Sequence, residues 1–125
     1  MKSSYPIYLA GSWLETNHSL DVVSPYTGTV ATRTFLASRD HLKTAIEKGL
    51  AVQDDMKHLP THVKADALLH IANGIKARRE EFATAMVAET AKPITYARAE
   101  VDRAVQTFID GAEETKRIYG EWVAL

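Results

Sequence analysis

The 125 residues contain no cysteine, which removes disulfides, thiolate metal ligands and a cysteine nucleophile from this chain. Glycine is sparse, and all six are isolated from one another. No GxGxxG and no GxxxxGK[ST] occurs, so no run of backbone amides is prepared to cradle a phosphate at a helix start. Charge of one sign is also missing: the formal net charge is −1, which argues against a nucleic-acid or membrane surface. No apolar run approaches the roughly 18 residues needed to span a bilayer. The N-terminus lacks the long apolar core of a signal peptide. These absences, with no disulfides, point to a soluble protein of a reducing compartment, and the cytoplasm is the expected location.

What is present suffices for one core. The hydrophobic content of 46% and charged content of 25% are those of an ordinary globular domain or part of one. The first third reads as strands. Ile7, Leu9 and Trp13 lie in a short segment broken at Gly11; Leu20, Val22 and Val23 form a second, and residues 30–35 a third with alternating faces. Between the last two, Ser24-Pro25-Tyr26-Thr27-Gly28 is a turn signal, since proline presets φ and glycine tolerates a left-handed exit. A small antiparallel hairpin or meander is expected over residues 1–36, needing a second layer for stability.

Three amphipathic helices are expected over residues 38–120. Ser38 is placed to cap the first, along which Leu42, Ala45, Ile46, Leu50 and Met56 recur at helical spacing until Pro60. Thr61 is the expected cap of the second, whose apolar face holds Leu68, Ile71, Ala72, Ile75, Phe82 and Met86. Lys92-Pro93 stops that helix, because proline forces the preceding residue out of the helical region. Thr95 is the expected cap of the third, with Ala97, Val101, Ala104, Phe108, Ala112 and Tyr119 on one face and Gly120 as its stop. Arg98/Asp102 and Glu113/Arg117 are opposite charges four apart, expected to pair within the helix.

Candidate chemistry is thin. His58 and His62 are four apart, but Pro60 breaks the helical face that would join them into a metal site. Glu80/Glu81 and Glu113/Glu114 are neighbours in sequence, which point about 100° apart on a helix and form no catalytic dyad. Arg103 is the one side chain singled out: a cation beside the apolar stripe at Ala104 and Phe108 can meet an anionic ligand through a forked, charge-assisted contact. Its plain alternative is an ion pair with Glu100 or with another chain.

The order of short motifs resembles the N-terminal segment of the NAD(P)-dependent aldehyde dehydrogenase superfamily. Tyr8-Leu9-Ala10-Gly11-Ser12-Trp13 is similar to its opening I-N-G-x-W strand, Ser24-Pro25-Tyr26-Thr27-Gly28 to its N-P-x-T-G turn, and Glu89-Thr90-Ala91-Lys92-Pro93 to its E-T-G-K-P joint. Glu100-Val101, Ala112-Glu113-Glu114 and Gly120-Glu121 follow at the family's intervals. Ser24 stands for the usual Asn, Ala91 for the usual Gly and Met56 for a common Trp. Ala91, Arg103 and the ending AEETKRIYGE resemble most the lactaldehyde and non-phosphorylating glyceraldehyde-3-phosphate branch.

The resemblance implies the N-terminal part of an α/β aldehyde dehydrogenase fold, a small aldehyde substrate, NAD or NADP in the parent enzyme, and a homo-oligomer, dimer or tetramer. It implies that Arg103 contacts an anionic substrate group, and that Glu89 with the backbone near Val23 helps hold a monovalent cation. The family's nucleophile is a cysteine thiolate, absent here. This chain is therefore expected to assign no catalytic and no cofactor-binding residue of its own. The apolar ending Trp122-Val123-Ala124-Leu125 reads as a cut, so the chain is expected to be a fragment, and without the cysteine it is expected to be catalytically incomplete by itself. The alternative is a non-catalytic helical interaction module or a truncated remnant.

Overall fold

The computed structural model describes residues 3–118 and residue 123. Two antiparallel hairpins lead the chain, β1 (Ile7–Leu9) with β2 (Ser12–Leu14), and β3 (Ser19–Val23) with β4 (Val30–Phe35). They form separate two-stranded sheets, so the strand region is two hairpins and not one meander. The first turns on Ala10 and Gly11, with φ of 48° and 90°. Positive φ at both central positions matches the right-handed strand twist and keeps the turn to two residues. The second turns at Ser24–Gly28, as expected, with Ser24 buried and Gly28 at φ 71°. The Gly28 amide donates to the Ser24 carbonyl at 2.9 Å. Residues 3–5 run along the outer side of β4, where the Tyr5 amide donates to the Arg33 carbonyl at 2.9 Å.

Five helices follow: α1 (Arg39–Ala51), α2 (Gln53–His58), α3 (Thr61–Ala77), α4 (Arg79–Thr90) and α5 (Ile94–Thr115). The expectation of three is corrected at Val52 and Arg78, whose backbones leave the helical region at φ −106°. At Arg78 the reason is spatial. A single helix over residues 61–90 would run about 45 Å, against about 33 Å for α5. The break lets both α3 and α4 pack against α5.

Ser38 caps α1 in a full capping box, its Oγ accepting from the His41 amide while His41 Nδ1 accepts from the Ser38 amide. Thr61 and Thr95 do not cap their helices. Pro60 and Pro93 take those N-cap positions with ψ of 142° and 137°, because proline's fixed φ already suits the extended geometry of an N-cap. Each threonine thereby falls inside the first turn.

The core is small and alanine-rich. Ala83, Ala97 and Val101 are buried together, with Ile75, Phe82, Met86 and Val87 packed around them. Ala65, Ala72 and Ala112 are the other buried apolar side chains among the described residues. The stripe expected on the third helix is thus the buried face of α5, with Tyr119 and Gly120 outside the described residues. Ile71, by contrast, is exposed, and no residue of α1 is buried. Leu42, Ile46 and Leu50 form the predicted apolar stripe of α1, but it lies open.

Charge pairs cross between helices. Asp102 takes a fork from Arg79 at 2.6 and 2.7 Å, and Glu80 takes Arg98 Nη2 at 2.8 Å. The expected Arg98/Asp102 pair is therefore replaced by two interhelical pairs. The expected Glu113/Arg117 pair gives way to Lys116–Glu113 and Arg117–Glu114.

Candidate functional site: the groove beside Arg103

The joint between α4 and α5 is built by three residues. Ala91 ends α4 in the left-handed region at φ 57°, and its amide donates to the Val87 carbonyl at 2.9 Å. Lys92 follows, and Pro93 starts α5. The chain therefore turns sharply and lays Lys92 beside the first two turns of α5. There, Tyr96, Ala99, Glu100 and Arg103 share one helical face, spaced i, i+3, i+4 and i+7.

These four residues, with Thr90, Lys92 and Pro93, line an open groove of about 650 Å³. That volume lies in the range of small-molecule sites. A second groove of about 530 Å³ has Met86, Ala104, Thr107 and Phe108 in its lining. Glu100 and Arg103 line both, so they form the ridge between the grooves.

The electrostatics of the ridge are asymmetric. Lys92 Nζ donates to Glu100 Oε2. That hydrogen bond, then the Lys92 charge itself, holds the Glu100 carboxyl below the usual carboxylate range, with Arg103 adding a smaller pull. Arg103 Nη2 reaches Glu100 Oε1 at 3.4 Å, longer than an ordinary N–H···O bond. This is the only hydrogen bond of the Arg103 side chain among the described residues. Its side chain is 77% exposed, so most of its donors remain available.

The plain alternative for Arg103, an ion pair with Glu100, is thus present, in a weak form. The sequence reading did not assign Lys92, Tyr96 or Ala99 to a site. Their signal was the helical spacing from Tyr96 to Arg103. A search for apolar stripes passes over that face because half of it is polar.

Glu89 lies elsewhere. It is half-buried in a groove of about 320 Å³ lined also by Tyr5, Arg78, Glu81, Phe82, Ala85 and Met86. It makes no ion pair with another described residue. Val23 is half-exposed at the end of β3, beside an irregularity in the β3–β4 register. Among the described residues no group of three or more His, Cys, Asp or Glu side chains converges as a metal site. No helix among them is long and apolar enough to cross a membrane.

The chain is similar to known proteins over nearly its whole length. A 3-sulfolactaldehyde dehydrogenase from Priestia aryabhattai is 32% identical over 120 residues, covering 95% of this chain and 24% of that protein. The crystal structure of an aldehyde dehydrogenase from Physcomitrella patens, in complex with the reaction product succinate, superposes with a TM-score of 0.91 at 34% identity. It covers 100% of this chain and 26% of that one. A glyceraldehyde-3-phosphate dehydrogenase from Methanocaldococcus jannaschii, complexed with NADP, gives a TM-score of 0.82 at 32% identity over 88% of this chain and 24% of that one. The chain spans about a quarter of the length of the curated relatives it matches. Residues 13–125, which include the second hairpin turn, the α4–α5 joint and the Arg103 ridge, match the Aldehyde dehydrogenase family, and this chain belongs to that family.

Proposed function

We propose that these 125 residues are the N-terminal part of an NAD(P)-dependent enzyme that oxidises an aldehyde bearing an anionic group, with Arg103 as a contact for that anion. The observation that carries the reading is the state of Arg103. It is an exposed guanidinium on the rim of a groove, held by one long hydrogen bond and otherwise open to a ligand. Arginine suits the task because its planar fork matches carboxylate, sulfonate and phosphate oxygens two at a time. Three of the relatives fit this chemistry, since sulfolactaldehyde, glyceraldehyde 3-phosphate and the product succinate each carry an anion apart from the reacting carbon, while the lactaldehyde named for others is neutral.

The reaction needs groups this chain does not supply. It has no cysteine for the nucleophile. The residues present also do not fit a nucleotide: the described glycines are isolated, and none opens a helix as a phosphate cradle. The rest of the enzyme would supply the thiolate and bind NAD or NADP. A cytoplasmic location and a homo-oligomer are part of the same proposal, and the open apolar faces at Leu20, Val23, Val30 and along α1 support the oligomer. A cation held by Glu89 and the Val23 backbone is also part of it, supported by the half-buried Glu89 carboxylate, which makes no ion pair among the described residues.

The test is Arg103→Ala in the enzyme that carries this segment, assayed with succinic semialdehyde and with butanal. The two differ at the end remote from the aldehyde, one carrying a carboxylate and the other a methyl. Loss of a charge-assisted contact of about 1.5–3 kcal/mol would raise KM for succinic semialdehyde roughly tenfold or more. The butanal constants would stay within about twofold. Equal effects on both substrates, or none on either, would refute the assignment.

A further inference from the structure

Arg103 shares its ridge with a carboxylate that should compete for it. An unoccupied Glu100 one helical turn away would be the natural bidentate partner of Arg103, and it would cancel the charge offered to a substrate. The structure instead shows Glu100 drawn to Lys92 across the α4–α5 joint. Glu100 turns Oε2 to Lys92 and leaves only Oε1 to Arg103, at 3.4 Å. The three groups sum to one positive charge, and that charge sits on the outermost and most exposed member: the side chain of Arg103 is 77% exposed against 36% for Lys92 and 33% for Glu100.

We propose that Lys92 is a positioning residue: it holds Glu100 off Arg103, so that Arg103 keeps an uncompensated charge at the groove for an anionic substrate. This rests on the reading of Arg103 as the anion contact. The inner pair acts as a fixed, neutral pedestal. Glu100 tethers one edge of the guanidinium through a single weak bond and leaves the fork free. Lys92 owes its place to the joint itself, because the left-handed Ala91 and the Pro93 start of α5 carry the intervening residue back over the first turns of α5.

The sign of the effect separates this role from a merely structural one. Lys92→Met keeps the stem and removes the charge. Glu100 is then free to fork onto Arg103, and the substrate must displace it. In the enzyme carrying this segment, KM for succinic semialdehyde is expected to rise roughly three- to fivefold, the scale of an exposed charge pair. The turnover number and the butanal KM would stay within about twofold. Removing the competitor as well, in Lys92→Met/Glu100→Gln, should return KM to within about twofold of the parent, whereas a variant that only loosened the joint would worsen further. Lys92→Arg should behave as the parent.

Thermal midpoints and butanal turnover show that each variant is folded. An unchanged KM in folded Lys92→Met, or a double variant as weak as the single one, overturns the proposal. Arg103→Ala keeps the two readings apart. If Arg103→Ala raises KM selectively while Lys92→Met does not, only the positioning role falls. If Arg103→Ala has no selective effect, the underlying anion contact falls with it.

Discussion

Val101→Ala is the substitution that tests whether the small α4–α5 cluster carries part of the core of this segment. Val101 is 1% exposed and is the only fully buried side chain larger than alanine among the described residues. Its neighbours Ala83 and Ala97 are already methyl groups on backbone and cannot swing in to fill a gap. Losing two buried carbons costs about 1.6 kcal/mol at about 0.8 kcal/mol each. A residual void of roughly 40 Å³ adds about 1 kcal/mol at about 24 cal/mol per Å³. The expected loss is therefore about 2.5 kcal/mol, falling toward 1.6 if Met86 or Ile75 relaxes into the space.

For a chain of this size that corresponds to a fall in Tm of roughly 10 °C. In urea the midpoint should fall with an unchanged m-value, measured by far-UV circular dichroism at low micromolar concentration. Leu42→Ala is the contrast: Leu42 is 59% exposed on the open stripe of α1, and its loss should lie within about 0.5 kcal/mol. A Val101→Ala loss under about 0.5 kcal/mol, or a Leu42→Ala loss as large as that of Val101→Ala, would refute this account of the core.

Two further outcomes follow from local geometry. Ala10 sits at φ 48° in an exposed turn, where asparagine adopts the left-handed region more readily than alanine and no burial is at stake. Ala10→Asn, which makes an Asn-Gly turn, should stabilise by about 0.5–1 kcal/mol, and a thermal midpoint that fails to rise would contradict it. The hydrogen bonds from Arg79 to Asp102 and from Arg98 to Glu80 hold both carboxyls below their ordinary range. Their stabilisation is complete above the unfolded-state values, near about 4, and is lost as pH falls through the lower folded values. Thermal midpoints taken from pH 6 to pH 3 should therefore drop on the acid side, and Asp102→Asn should flatten that drop. An identical acid limb in the variant would show that the pair contributes nothing to it.

Some expectations failed for a common reason. Thr61 and Thr95 have good capping chemistry, yet the proline before each already has the dihedral angles of an N-cap. Arg98 and Asp102 have the right spacing for a pair, yet each makes a forked, charge-assisted contact with a partner on α4 instead. In each case the sequence held the right residue types, and competition among them was settled by geometry that only the assembled helices possess.

The chain's own order of residues determined what depends on near neighbours. The Ser38 cap, the turn at Ser24–Gly28, the end of α4 ahead of Lys92-Pro93 and the buried stripe of α5 all follow from dihedral limits, side-chain reach within one turn and the 3.6-residue period. Those forces act over a few residues, so they are legible in sequence. The family was legible in the same way, from the spacing of such turns and joints. Tertiary structure alone decided where the long helical runs break, which charges pair, and that Lys92 rests on Glu100 beside Arg103. Those outcomes depend on distances through space between segments, and a carboxylate with two cations in reach chooses by packing and hydrogen-bond geometry, not by its position along the chain.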